Sequence, residues 1–110
     1  MAREPIDLLH GTLDVLVLKT LSWGPTHGYG ISKWIESRTG QVLEIEDAAL
    51  YKALHRLEAS GSIESEWGVS ENNRRARFYR LTARGRRELR AETDTWKTYA
   101  AAIFAVLEIA

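Results

Sequence analysis

The sequence predicts a mainly α-helical protein of the α+β class: three helices, a β-hairpin, and one long helix at the end. Three observations carry this reading. Apolar residues recur at helical spacing in three segments that stop at Gly24-Pro25, Gly40 and Ser60-Gly61. Two alternating stretches flank a polar, turn-rich segment between Ile63 and Leu81. From Leu89 onward an apolar repeat of seven residues runs to Ala110. The chain has 110 residues, 45% hydrophobic and 27% charged, which fits one compact globular unit near the low end of what encloses its own core.

Each element has its own signature. Leu13 to Leu21, LDVLVLKTL, is apolar on nearly every side apart from Asp14, Lys19 and Thr20, so this helix should be buried on several sides. Thr12 is its expected N-cap. A second helix is expected from Thr26 to Thr39, with Gly40 at the C′ position. Ile31, Trp34 and Ile35 form its apolar stripe, and Lys33 and Arg38 lie off it. Val42 to Ile45 reads as a short extended connection. A third helix follows, capped by Asp47, with a buried stripe of Leu50, Ala53, Leu54 and Leu57. The centre of its opposite face is Ala48, Lys52 and His55, flanked by Tyr51 and Arg56.

Ile63, Ser65 and Trp67 alternate with Glu64 and Glu66, the pattern of a half-buried strand. Gly68 to Asn73 is the turn, Arg75 to Leu81 the partner strand, and Thr82 the cap of the last helix. The seam of that helix is Leu89, Trp96, Ile103 and Ala110, with Tyr99 and Val106 between them and Phe104 and Leu107 on the same apolar face. No helix remains in the chain to accept this seam, so a second copy is its expected partner. The order of elements is that of a winged helix-turn-helix, residues 1–81, followed by a dimerisation helix, residues 82–110.

Charge is distributed unevenly. The chain is formally neutral, yet Glu71 to Arg90 holds eight arginines against Glu71 and Glu88, a local net charge of +6. A concentration of this kind marks a surface that faces anions. The hairpin residues Asn72, Asn73, Arg74, Arg75 and Arg77 suit phosphate or a minor groove. The competing reading is a charged edge that prevents sheet-to-sheet association, but four arginines between Arg74 and Arg80 exceed that need. For the third helix, either Ala48, Tyr51, Lys52, His55 and Arg56 face a DNA groove or they form an ordinary solvated face. The basic hairpin beside it favours the groove. Arg84, Arg86, Arg87 and Arg90 fit phosphate contacts or intersubunit ion pairs with Glu88 or Glu92 equally well. Trp96 either fills a dimer core with Tyr99, Ile103 and Phe104 or stacks on a planar aromatic ligand.

Several functions find no footing. Without cysteine there is neither a disulfide frame nor a thiolate metal site. His10, His27 and His55 stand far apart without acidic partners at ligand spacing, so no metal site is expected. Neither a Ser–His–Asp arrangement nor a paired carboxylate is suggested by spacing. Gly24, Gly28 and Gly30 do not form a nucleotide-binding pattern. The chain is therefore read as a non-enzyme without a cofactor. No leader pattern and no apolar run of about 18 residues is present, so a cytoplasmic protein without a membrane partner is expected.

Three segments resemble one family, the PadR-type transcriptional regulators. LVLKTLSWGPTHGYGI, Leu16 to Ile31, is similar to their first-to-second helix signature. ALYKALHRLEASGSIESEW, Ala49 to Trp67, resembles their recognition helix and first wing strand. RRARFYRLTARG, Arg74 to Gly85, resembles the second wing strand and the cap of the last helix. The resemblance implies a dimer formed through the last helix with help from the first. It also implies a repressor that leaves a palindromic operator on duplex DNA when it senses a compound, commonly a phenolic acid or a toxic lipophilic molecule. The short C-terminal part resembles the smaller branch of the family, whose multidrug-responsive members bind flat aromatic compounds between tryptophans at the dimer centre; Trp96 falls at the matching place.

By the same resemblance, Tyr29 and Tyr51 lie near the DNA backbone, Lys52 and His55 face the groove, and Arg75 and Arg77 belong to the wing. Two departures stand out. Ala49 replaces a usual Ser or Thr, removing a hydroxyl used for phosphate, and Lys52 stands where many members have Pro. Two rival readings remain: a winged-helix module that binds acidic proteins, and a ligand-binding dimer without a regulatory role.

Overall fold

Residues 11–108 are described by a computed structural model. The elements run α1 (Thr12–Leu21), β1 (Thr26–His27), α2 (Gly28–Arg38), α3 (Asp47–Ala59), β2 (Ile63–Val69), β3 (Arg75–Leu81) and α4 (Ala83–Leu107). Three helices precede a hairpin and a long helix follows it, the predicted winged helix-turn-helix. His10 and Ala110, named above as a metal candidate set aside and as the end of the seam, lie outside the described residues.

The core forms where the apolar stripes converge. Leu13, Val15, Val17, Leu18 and Leu21 of α1 are buried, and α1 touches α2, α3, α4 and β3. Ile31 and Ile35 of α2 and Leu50, Ala53, Leu54 and Leu57 of α3 close around it, with Ile63, Tyr79 and Leu81 from the base of the hairpin. Each fully buried leucine or isoleucine contributes roughly 1.5–3 kcal/mol through removal of apolar surface from water. Thr12 is the first helical residue of α1 rather than its cap. Gly11 holds the cap position in a left-handed conformation, and no side chain caps this end.

β1 was not anticipated. Thr26 and His27, expected to open the second helix, instead pair with Tyr79 and Phe78, giving a three-stranded antiparallel sheet in the order β1-β3-β2. The helix begins at Gly28 and not at Thr26 because His27 is extended and caps it: the Gly30 N–H donates to His27 Nδ1 at 3.0 Å. At the far end Gly40 is left-handed, as a C′ glycine should be. Beyond it, residues 42–45 do not form a strand. Their donors go to α2 instead, from Leu43 N–H to Thr39 Oγ1 at 3.2 Å and from Ile45 N–H to the Glu36 carboxylate at 3.2 Å. Asp47 is the first residue of α3; Glu46 is the cap residue and makes no side-chain capping bond.

The hairpin register pairs Ile63 with Leu81, Ser65 with Tyr79, Trp67 with Arg77 and Val69 with Arg75. Gly68 and Val69 belong to β2, so the turn is shorter than Gly68 to Asn73 and lies between Val69 and Arg75. Ser70 and Asn73 close it with backbone hydrogen bonds, and Asn73 takes the left-handed conformation. Thr82 caps α4 as expected, accepting from the Gly85 N–H at 3.1 Å and donating to the Gly61 carbonyl at 2.6 Å. Gly85 is buried against the base of the hairpin, and a Cβ there would run into the Ser62 carbonyl oxygen. Ser62 also donates to Glu88 of α4. The molecule extends 53 × 37 × 21 Å.

Candidate nucleic-acid interface

α3 buries one face and leaves the other free. With Leu50, Ala53, Leu54 and Leu57 turned inward, Ala48, Tyr51, Lys52, His55 and Arg56 are exposed; Ala49 is half-buried and packs against the core. The predicted groove-facing residues therefore share one continuous surface. Ala48 keeps the N-terminal end of that surface low, where the helix backbone can approach another molecule closely. Tyr51 leans toward the start of α2: a Cβ at Gly28 would lie 3.1 Å from its hydroxyl, so glycine leaves room for this ring. Tyr29, one residue further on, is 66% exposed, and the Lys33 ammonium lies 5.5 Å from its ring centroid. Two tyrosine rings thus stand at the N-terminal end of α2, beside the exposed face of α3.

Arg56 differs from its neighbours. Its guanidinium donates to Asp14 of α1 at 2.7 Å, and this hydrogen bond raises its pKa further above the usual value. It fastens α3 to α1. Lys52 and His55 have no such partner among the described residues.

The hairpin arginines also separate into groups. Arg80 is paired with Glu64 at 2.7 Å on the outer face of the sheet. The Arg77 Nε donates to Ser65 Oγ at 2.8 Å, and its Nη2 lies 3.7 Å from Glu58 of α3; Ser65 in turn donates to Glu58 at 2.5 Å. Arg77 is accordingly a strut between hairpin and helix. Burial raises the Tyr79 pKa, a shift the nearby Arg77 charge opposes. Arg74 and Arg75 are exposed, and their side chains make no hydrogen bond or ion pair among the described residues. Asn73 is exposed beside them at the turn.

Trp67 departs from expectation. Alternation placed it on the half-buried face with Ile63, and it does share that face, but it is 55% exposed. In place of a core, Trp67 meets arginine: the Arg75 guanidinium carbon lies 4.7 Å from its ring centroid and that of Arg77 5.6 Å. Glu58, Ser65 and Trp67 were thus missed as members of this surface. The pairing of Trp67 with Arg77 was the signal, readable only once the length of the turn is known.

A second surface lies on α4. Leu89 packs against the core and Trp96 is half-buried, its ring meeting Tyr99 edge-on at 5.5 Å between centroids. Beyond them Tyr99, Ile103, Phe104, Val106 and Leu107 are all exposed. Arg84, Arg86, Arg87 and Arg90 are exposed along the same helix. Among the described residues no helix is long and apolar enough to cross a membrane.

Known proteins share this arrangement. A protein of Lysinibacillus sphaericus with no assigned function is 31% identical over 90 residues, covering 82% of this chain and 83% of its own. The structure of a transcriptional regulator from Clostridium thermocellum is 33% identical and superposes with a TM-score of 0.77, over 84% of this chain and 87% of that one. The Bacillus subtilis PadR structure, solved in complex with operator DNA, shares the fold at 24% identity and a TM-score of 0.67, over 77% of this chain and 48% of that one. The model of the PadR-like transcriptional regulator family matches residues 17–91, from the middle of α1 into α4. The chain belongs to the PadR-like family of transcriptional regulators.

Proposed function

We propose that this protein is a cytoplasmic, homodimeric, sequence-specific repressor. In this reading residues 1–81 bind duplex DNA, residues 82–110 bring two copies together, and a planar aromatic or lipophilic compound at the dimer centre releases the operator. The observation that carries DNA binding is a pair of exposed surfaces joined by a contact between their elements. The α3 face of Ala48, Tyr51, Lys52 and His55 is exposed, and α3 is tied through Glu58 and Arg77 to a wing that ends in the exposed Asn73, Arg74 and Arg75. α3 has the size and exposure to enter a major groove, and the wing would then follow the flanking backbone. Tyr29 of α2 and Tyr51 of α3, whose ring lies beside the start of α2, would donate their hydroxyls to phosphate oxygens. The Bacillus subtilis protein of this fold was solved in complex with operator DNA, which supports duplex DNA as the ligand in this reading.

Dimerisation is supported by the exposed stripe from Tyr99 to Leu107, which water alone would cover in a monomer. A two-fold dimer presents two identical readers, so the operator would be a palindrome. Trp96 and Tyr99 supply aromatic faces at the start of the stripe, suited to a flat ligand.

The test is fluorescence anisotropy of the purified protein on its own upstream region and on scrambled duplex, at two salt concentrations. Preference for the upstream duplex is expected, with affinity for both falling steeply as salt rises, because about six to ten phosphate contacts release that many counterions. An affinity indifferent to salt and sequence would refute the reading.

A further inference from the structure

We infer that Trp67 is a positioning residue for DNA binding: its indole is the platform that holds Arg75 outstretched from the wing. The inference rests on the proposed role of the wing. Arg75 is exposed, and its side chain has no hydrogen bond or ion pair among the described residues, so nothing polar fixes its direction. Its guanidinium carbon nonetheless lies 4.7 Å from the Trp67 ring centroid. A tryptophan face is the strongest aromatic partner for a guanidinium. Stacking also leaves the in-plane N–H donors of arginine free to meet a phosphate oxygen.

The surroundings keep the platform in place. Trp67 sits opposite Arg77 and Arg75 opposite Val69, so the stack runs diagonally across one face of the hairpin. Arg77 approaches the same ring at 5.6 Å while bound to Ser65 and close to Glu58, which ties that part of the wing to the end of α3. The chain of contacts from Glu58 through Arg77 and Trp67 to Arg75 fixes a wing cation relative to the proposed groove-facing helix. An unstacked arginine would sample many rotamers and lose that freedom on binding; a stacked one has already lost much of it. More than half of Trp67 lies in solvent, it is not among the residues packed on the core, and two guanidinium groups lie over its ring.

The experiment is a double-mutant cycle on DNA binding, using the full chain and the upstream duplex, with Trp67→Leu, Trp67→Phe, Arg75→Ala and the Trp67→Leu/Arg75→Ala pair. Trp67→Leu should weaken binding about two- to fivefold for each engaged wing, the size of an exposed cation–π contact. Trp67→Phe should recover most of that loss, because a ring face remains. On the Arg75→Ala background, Trp67→Leu should have almost no effect. Thermal melts of every variant separate a folding defect from a binding defect. Equal losses from Trp67→Leu with and without Arg75 would overturn the inference, since Trp67 would then act on DNA or on the fold by itself. Arg75→Ala without effect would instead sink the wing as a DNA contact. A clear loss with Arg75→Ala and none with Trp67→Leu would leave the wing intact and remove only its platform.

Discussion

At the residue scale, Lys52 and His55 share the exposed face of α3 and neither is engaged by another described residue, whereas Arg56 beside them is bound to Asp14. Side chains of the first kind are available to base edges. Lys52→Ala and His55→Ala should each change the ranking of operator variants, with discrimination at a contacted position falling by about 1–3 kcal/mol. Arg56→Ala should leave that ranking unaltered and cost at most about 1 kcal/mol of stability, the usual worth of an exposed ion pair. Competition binding over a panel of single-base variants measures the first effect and urea unfolding the second; an Arg56→Ala variant with altered preference would contradict this division. The helical wheel displayed all three residues on one face, but it could not separate them. The partner of Arg56 lies 42 positions away, and proximity of that kind is created by the packing of α3 on α1. The partners of Arg77 were hidden for the same reason, since Ser65 and Glu58 reach it only after the hairpin has formed.

At the element scale, α2 depends on a histidine cap. His27 Nδ1 accepts from the Gly30 N–H, its backbone pairs with Phe78, and its ring meets Phe78 edge-on at 5.3 Å. His27→Ala should destabilise the fold by about 1 kcal/mol, the common cost of a lost N-cap. His27→Asn, which retains an acceptor, should recover part of that loss in chemical denaturation; an asparagine variant no better than alanine would show that the ring contact matters and the cap does not. Elements with local signals were legible. α3 announced its stripe, β3 its alternation from Arg75 to Leu81, and α4 its cap at Thr82. β1 was not legible, because two residues become a strand only when Tyr79 and Phe78 arrive beside them. Residues 42–45 form a connection and not a strand, because Thr39 and Glu36 take the donors of Leu43 and Ile45. Alternation assigned Trp67 to the face of Ile63 without revealing that, among the described residues, arginines meet it there.

At the scale of the whole molecule, α4 projects beyond the body that anchors it. Its first half is fixed by Gly85 and Leu89, while every residue from Ala101 to Leu107 is exposed. Ile103→Glu places a charge in the middle of the proposed interface, where burial without a partner is costly. Sedimentation velocity should then show monomers at concentrations where the unaltered protein is dimeric, with operator affinity reduced at least tenfold because the two readers act singly. A variant that remained dimeric would place the interface elsewhere. The seven-residue seam points to a partner, and although α1 meets part of α4, the stretch from Ala101 to Leu107 stays exposed among the described residues.

The close approach of Gly85 to Ser62, with Glu88 and Thr82 bonded to the same corner, ties the wing base to α4. That turns the helix into a crank. Its 25 residues span about 37 Å at 1.5 Å per residue. A 10° swing at the dimer end would carry the opposite end through about 6 Å, close to two base-pair steps of about 3.4 Å. In the proposed dimer, a compound lodged between two such helices would need only to change their angle: each reader would keep its shape while the pair lost its match to the pitch of the duplex.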